Sequence, residues 1–376
     1  MSFWHNNFYF EETEEGLCLS DYNGESKEVE IPSHVDGKPV TEIGRDAFKE
    51  KGLTEVAIPD SVEKIGVDAF QDNKLTEITL PDNLTEIRRG AFAENYLIGV
   101  TIPDGITKIE DGVFFNNSLI YVTIPDSVEE IEDWAFYDNS LSEVTIPDSV
   151  NRIGWSAFMG NSLTEVTIPS GLTEIEEDAF AFNHLTQISI PGNVTKIEEG
   201  AFRENSLTKV TIPNSVRKIR EKAFEFNDLT KITIPDSVEK IGENAFAYND
   251  LIEVTIPDRV GRIEKNAFKS NNLTEVTIPG RVEEIEENAF ADNGLAEVAM
   301  PNGVAKIGEN AFGEYTEQIK QGYEQSNRNA TIYVWNEEGQ RWENKKIKQM
   351  LDKQGDNNIE NLLNPEGNSS KRSFTL

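Results

Sequence analysis

From Leu53 to Leu295 the chain repeats one arrangement of apolar and polar positions every 22 residues. Phenylalanine stands at 48, 70, 92, 114, 136, 158, 180, 202, 224, 246, 268, 290 and 312, Pro recurs from Pro59 to Pro301, and Asn from Asn73 to Asn293. The unit LTKITIPDSVEKIGENAFAYND, residues 229–250, carries the pattern in full. Leu229, Ile232 and Ile234 face inward, and the two isoleucines flank Thr233, which is strand alternation. Pro235 ends that strand because it has no N–H for a ladder, and Asp236-Ser237 supplies turn chemistry. Val238 and Ile241 turn back in, Glu239, Lys240, Glu243 and Asn244 stay in water, and Ala245-Phe246 closes the coil. Seven of 22 positions are therefore interior. That is too little for one coil to fold alone, whereas stacked coils share their interiors and stability becomes a sum over neighbours.

The Asn column falls at a bend before each strand, where an amide can satisfy turn backbone groups that lack ladder partners, so Asn73 to Asn293 are structural. These residues resemble the BspA-like (Treponema-type) leucine-rich repeats of bacteria, whose pattern LxxIxIPxxVxxIxxxAFxxN is met from Leu53 to Asn293. The resemblance implies a right-handed curved solenoid of about 12 coils plus caps, with short β-strands and an irregular or 3-10 convex side. It also implies an adhesion or interaction scaffold, often on cell surfaces.

The ends depart from the pattern. Residues 1–52 are expected to form an N-terminal cap and divergent first repeat, with the aromatic run Phe8-Tyr9-Phe10 and Leu17 to Leu19 covering the first open core edge and an insertion around Asp36-Gly37-Lys38-Pro39. Residues 53–316 are the repeat solenoid and 317–345 a C-terminal cap. The cap reads as a short helix, a strand Thr331 to Trp335, a turn at Glu338-Gly339 and a return at Trp342, with both tryptophans as packing residues. Residues 346–376 read as a helical or mobile tail.

Composition narrows the function by exclusion. Against 35 Lys and Arg stand 68 Asp and Glu, a formal charge of −33 that repels nucleic acid and anionic lipid. No run of 18 apolar residues is present to span a membrane, and MSFWHNNFYFEETEEG lacks the features of a secretory signal, so the expected location is the cytoplasm, with a cell surface implied by the family resemblance. The single cysteine, Cys18, excludes an intramolecular disulfide and reads as a small buried apolar residue. No phosphate loop, HExxH or nucleophile elbow occurs, and His5, His34 and His184 occupy unrelated positions. A column of equivalent glutamates offers one environment many times, where acid–base catalysis needs two distinct ones. No enzyme activity, cofactor or metal is expected. The Thr column from Thr79 to Thr277 raises ice binding, and the column Glu55, Glu77, Glu143, Glu165, Glu253, Glu275 and Glu297 a weak cation strip; the plain reading of the threonines is that they suit strands.

The better signal lies in residues that break the repeat. Trp134 takes the place held elsewhere by Asp68, Asp178, Asn244 and Asn266, and Trp155 that of Glu177, Glu221 and Glu243. Phe115, Tyr137 and Met159 share one outer column, and Tyr121 replaces a Glu beside Ile98 and Ile120. Large apolar groups thus gather on coils two to five, with a weaker second cluster at Phe182, Phe226 and Tyr248. They are either a binding patch or rings that pack laterally on one another. The expected function is a non-enzymatic interaction scaffold for a protein partner, without nucleic-acid binding or membrane insertion, recognising it through Phe115, Tyr121, Trp134, Tyr137, Trp155 and Met159. The rival is an architectural element that self-assembles, which leaves a homo-oligomer open; an enzyme or ice-binding protein comes third.

Overall fold

The computed structural model describes residues 1–325, 331–336 and 341–344. They fall into two units, Met1–Thr230 and Lys231–Leu376. In both, the chain winds as a parallel β-solenoid whose partners lie 22 residues apart: Gly99 faces Tyr121 in the first unit, and Lys231 faces Glu253 in the second. Among the described residues helix is confined to Thr316–Gln325, after a 3-10 turn at Gly313–Tyr315.

The first unit begins with antiparallel strands Ser2–His5, Phe8–Glu12 and Leu17–Tyr22, the last of which joins Lys38–Ile43 in parallel. From there the parallel ladder continues to Lys64–Ile65 and Glu86–Ile87. Phe8 and Tyr22 lie over the first spine ring, at 6.4 and 5.4 Å from Phe48, so the open end of the column is covered by aromatic surface. The insertion folds as a hairpin of His34–Val35 on Lys38–Pro39. Its Asp36-Gly37 turn has φ of 51° and 80°, the two left-handed residues that a tight hairpin of this twist requires.

Inside this unit Phe48 to Phe224 form one column of buried rings, stacked at 5.1–5.8 Å. Beside it runs the Asn column. Asn73 accepts from the Leu53 N–H at 2.8 Å and donates to the Phe48 and Phe70 carbonyls at 2.8 and 2.9 Å, and the same set recurs coil after coil. One amide thus ties together the turns of successive coils.

Besides the strand before most of the prolines, which is absent before Pro81, Pro147 and Pro169, a coil carries a second, two-residue parallel strand in the stretch read as irregular. Its first position alternates in charge from Glu42 through Lys64, Glu86, Lys108, Glu130, Arg152 and Glu174 to Lys196, so that most register partners are of opposite sign. Lys108 lies 3.3 Å from Glu130, Arg152 pairs with Glu132, and Lys196 lies 2.6 Å from Glu174. Exposed pairs of this kind contribute at most about 1 kcal/mol each, but they offset like-charge repulsion along the ladder.

The second unit repeats the scheme, with Phe246, Phe268, Phe290 and Phe312 stacked at 5.5–5.7 Å. Its parallel sheet closes on an antiparallel hairpin: Thr331–Asn336 pairs with Glu297–Met300 and with Arg341–Asn344, Trp335 standing in register with Trp342. The packing of those two tryptophan side chains and the tail 346–376 lie outside the described residues.

Candidate functional site

The turn before each core Ala-Phe pair explains where Trp134 stands. Its column reads Asp46, Asp68, Gly90, Gly112, Trp134, Ser156, Asp178, Gly200 and Lys222 in the first unit, and every one of these residues is left-handed, with φ between 52° and 66°. Gly, Asn and Asp accept that geometry readily; a larger side chain pays about 1–2 kcal/mol for it. Trp134, at φ 55°, is the bulkiest residue in the column, and its indole is 45% exposed. Such a residue is a genuine conformational outlier. A second left-handed column, four residues further on, holds Glu50, Asp72, Glu94, Asn116, Asp138, Gly160 and Glu204, and two aromatics, Phe182 and Phe226. The Arg203 guanidinium, bound to Asp178 at 2.9 Å, sits 4.7 Å above the Phe182 ring, which gives that ring a local partner.

Phe115, Trp134 and Tyr137 wall one end of a 640 Å3 groove on the first unit, where Gly90, Ala93 and Gly112 leave the space and Lys49, Arg89, Asp68, Glu94 and Asp111 supply a charged rim. Phe115 and Tyr137 stack on each other at 5.3 Å and 12°. Lateral packing therefore accounts for part of their surface. Among the described residues Trp134 stacks on no ring; its N–H donates to the Trp155 carbonyl at 2.9 Å.

The other three residues do not join that wall. Met159, half-buried, continues the Phe115–Tyr137 column by one coil. Trp155, 49% exposed, donates its N–H to the Asp133 carboxylate at 2.9 Å. Its indole also acts on Glu176, whose carboxyl burial and the Glu174 charge push above the ordinary range while the indole pulls it down. Tyr121, 54% exposed, stands on the strand face, lining a different groove of 1030 Å3. Its ring lies over Gly99, where any Cβ would come within 2.0 Å of it. Gly99 is thus fixed by its neighbour, a cross-strand pair in which the glycine makes room for the ring.

Elsewhere the sulfhydryl of Cys18 is buried, which pushes its pKa to about 11 and leaves it protonated and unreactive at neutral pH. Among the described residues no cluster of His, Cys, Asp and Glu is arranged to hold a metal, and no helix is long and apolar enough to cross a membrane.

A short strand, a proline-ended turn and a buried Leu, Phe and Asn in each coil define a leucine-rich repeat solenoid. The model of the BspA-type leucine-rich repeat region matches residues 41–161, 107–230 and 195–320, and the chain belongs to that family. The fold is similar to a leucine-rich repeat protein of Bacteroides ovatus, at 22% identity and a TM-score of 0.56, over 84% of this chain and 92% of that one. It is also similar to the pneumococcal vaccine antigen PcpA, at 21% identity and a TM-score of 0.55, over 76% and 93% of the two chains. No curated protein matches the sequence.

Proposed function

We propose that the protein is a non-catalytic interaction scaffold that recognises a protein partner through the exposed aromatics of coils two to five. Phe115, Trp134 and Tyr137 form the centre, Met159 and Trp155 continue it, and Tyr121 serves the strand face. The observation that carries this reading is Trp134. A residue that serves only the repeat would be Asn, Asp or Gly at a left-handed turn, and the other coils use small or polar residues there. A half-exposed indole held there against its backbone preference, beside a groove and without a stacking partner, is the kind of strained residue that concentrates at binding surfaces. Membership of a leucine-rich repeat family supports the coarser part of the reading.

The test is capture from a lysate of the native host on the immobilised protein, alongside Trp134→Asn, which supplies the residue the turn prefers. A band retained by the wild-type protein should be lost or weakened at least tenfold with the variant, while circular dichroism and melting remain as in the wild type. Equal capture by both would reject Trp134 as a recognition residue. Light scattering that gives a salt-independent oligomer, unchanged by Trp134→Asn, would favour self-assembly instead.

A further inference from the structure

The groove beside Trp134 holds more than its aromatic wall. Along its floor the left-handed turns of two successive coils carry glycine, Gly90 and Gly112. A Cβ at Gly90 would come within 2.3 Å of the Asp68 carboxylate, whereas one at Gly112 would meet only the Phe115 Cβ, at 3.6 Å, so the space over Gly112 is open. In the adjoining column the stacked pair Tyr137 and Phe115 is followed by Ala93 and then Gln71, so the run of rings stops at Phe115 and its second face is turned toward the groove.

Three polar groups around this space lack partners. Gln71 Nε2 donates to the carboxylate of the exposed Glu94 at 2.9 Å, while Gln71 Oε1 is buried with no donor. Among the described residues the side chains of Arg89 and Asp111 make no hydrogen bond or ion pair, although Lys49 on the same rim is held by Asp68 at 3.3 Å. A buried acceptor left without a donor costs about 1–3 kcal/mol and calls for an explanation.

The chemistry of these groups selects a ligand class. An anion is repelled by a chain of net charge −33, and a cation would stand against Arg89. A purely apolar side chain would leave Gln71, Arg89 and Asp111 as they are. Sugar hydroxyls both donate and accept, so neighbouring hydroxyls of one ring serve a guanidinium and a carboxylate together. The C–H groups on one face of a pyranose carry the partial positive charge that the negative face of an aromatic ring attracts.

We propose that the groove binds a neutral pyranose sugar of a glycan carried by the partner protein, with its C–H face on Phe115, its edge against the Trp134 indole and its hydroxyls on Arg89 and Asp111. Displacement of the exposed Glu94 side chain lets a further hydroxyl donate to Gln71 Oε1. The volume of 640 Å3 lies in the range of small-molecule sites. This rests on the reading of Trp134 as a recognition residue and names the chemical group that it recognises.

The experiment is a glycan array probed with the full-length protein, followed by titration calorimetry with the oligosaccharides it retains. Neutral glycans should be retained and acidic ones not, with an affinity that changes less than twofold between low and high salt. Gly112→Asn fills the open space with a residue that the same turn accepts at Asn244 and Asn266, and should weaken binding at least tenfold. Arg89→Ala and Asp111→Ala should each weaken it about fivefold, and Phe182→Ala, which removes an exposed ring outside the groove, less than twofold. A blank array, retention of acidic glycans alone, or equal loss in Phe182→Ala and Gly112→Asn would overturn the proposal. Capture from the lysate separates it from the scaffold reading. A Trp134-dependent band that survives periodate cleavage of the sugars, with a blank array, would reject the sugar and leave a protein surface as the occupant. Neutral glycans on the array without any captured protein would keep the pyranose site, with a free polysaccharide as its source, and reject the protein partner; a blank array without a captured band would reject both.

Discussion

Asn139→Ala should destabilise the protein by roughly 3–5 kcal/mol, because it removes one acceptor and two N–H donors from a buried turn. Asn139 is 8% exposed; its Oδ1 accepts from the Leu119 N–H at 3.0 Å and its Nδ2 donates to the carbonyls of Phe114, Phe136 and Tyr137 at 2.9–3.3 Å. Alanine has no group to replace these, and the cavity it leaves is narrow and flanked by the next coil. Each buried backbone group left without a partner costs about 1–3 kcal/mol. On a chain of this size the melting temperature should fall by ~5 °C. A fall of under about 3 °C, measured by differential scanning calorimetry, would mean that water replaces the amide and that the Asn column is not a structural element.

Phe136→Ala and Tyr137→Ala, adjacent in sequence, should differ severalfold in cost. Phe136 is fully buried between Phe114 at 5.7 Å and Phe158 at 5.3 Å, so truncation opens a cavity in a continuous column and costs about 3–5 kcal/mol. Tyr137 is half-buried and stacks on one ring, Phe115, so its loss costs about 1 kcal/mol. Urea denaturation of the two variants checks the ratio. Equal losses would place Tyr137 in the core and remove it from the recognition surface.

The column of Phe and the column of Asn were legible because a 22-residue period repeats the same burial at each step, and any residue held constant along it must face the interior or a turn. The left-handed turn was present in the sequence as well. The position of Trp134 is otherwise occupied by Asp, Asn, Gly, Ser and Lys, a set weighted toward residues that tolerate positive φ; reading it only as water-facing missed the backbone reason. The alternating Lys and Glu of the second strand were likewise visible and unread.

Two features were not legible. The repeat frame tells which positions face water but not which face they share, so Tyr121 grouped with Trp134 in sequence and separated from it in space, onto a different groove. The opening of the strand ladder has no local signature, because EVTIP at 143–147 is the same sequence that forms a paired strand at Glu253–Thr255.

The central claim is that Trp134 stands at its turn for recognition and not for stability. Relief of the left-handed strain in Trp134→Asn is worth about 1–2 kcal/mol, and the loss of a roughly half-buried indole costs about 1–1.5 kcal/mol. The two nearly offset. Equilibrium unfolding of Trp134→Asn in guanidinium chloride should therefore give a stability within about 1 kcal/mol of the wild type or above it. A loss of about 3 kcal/mol or more, the size expected of a core aromatic, would show Trp134 to be a packing residue and would contradict the account.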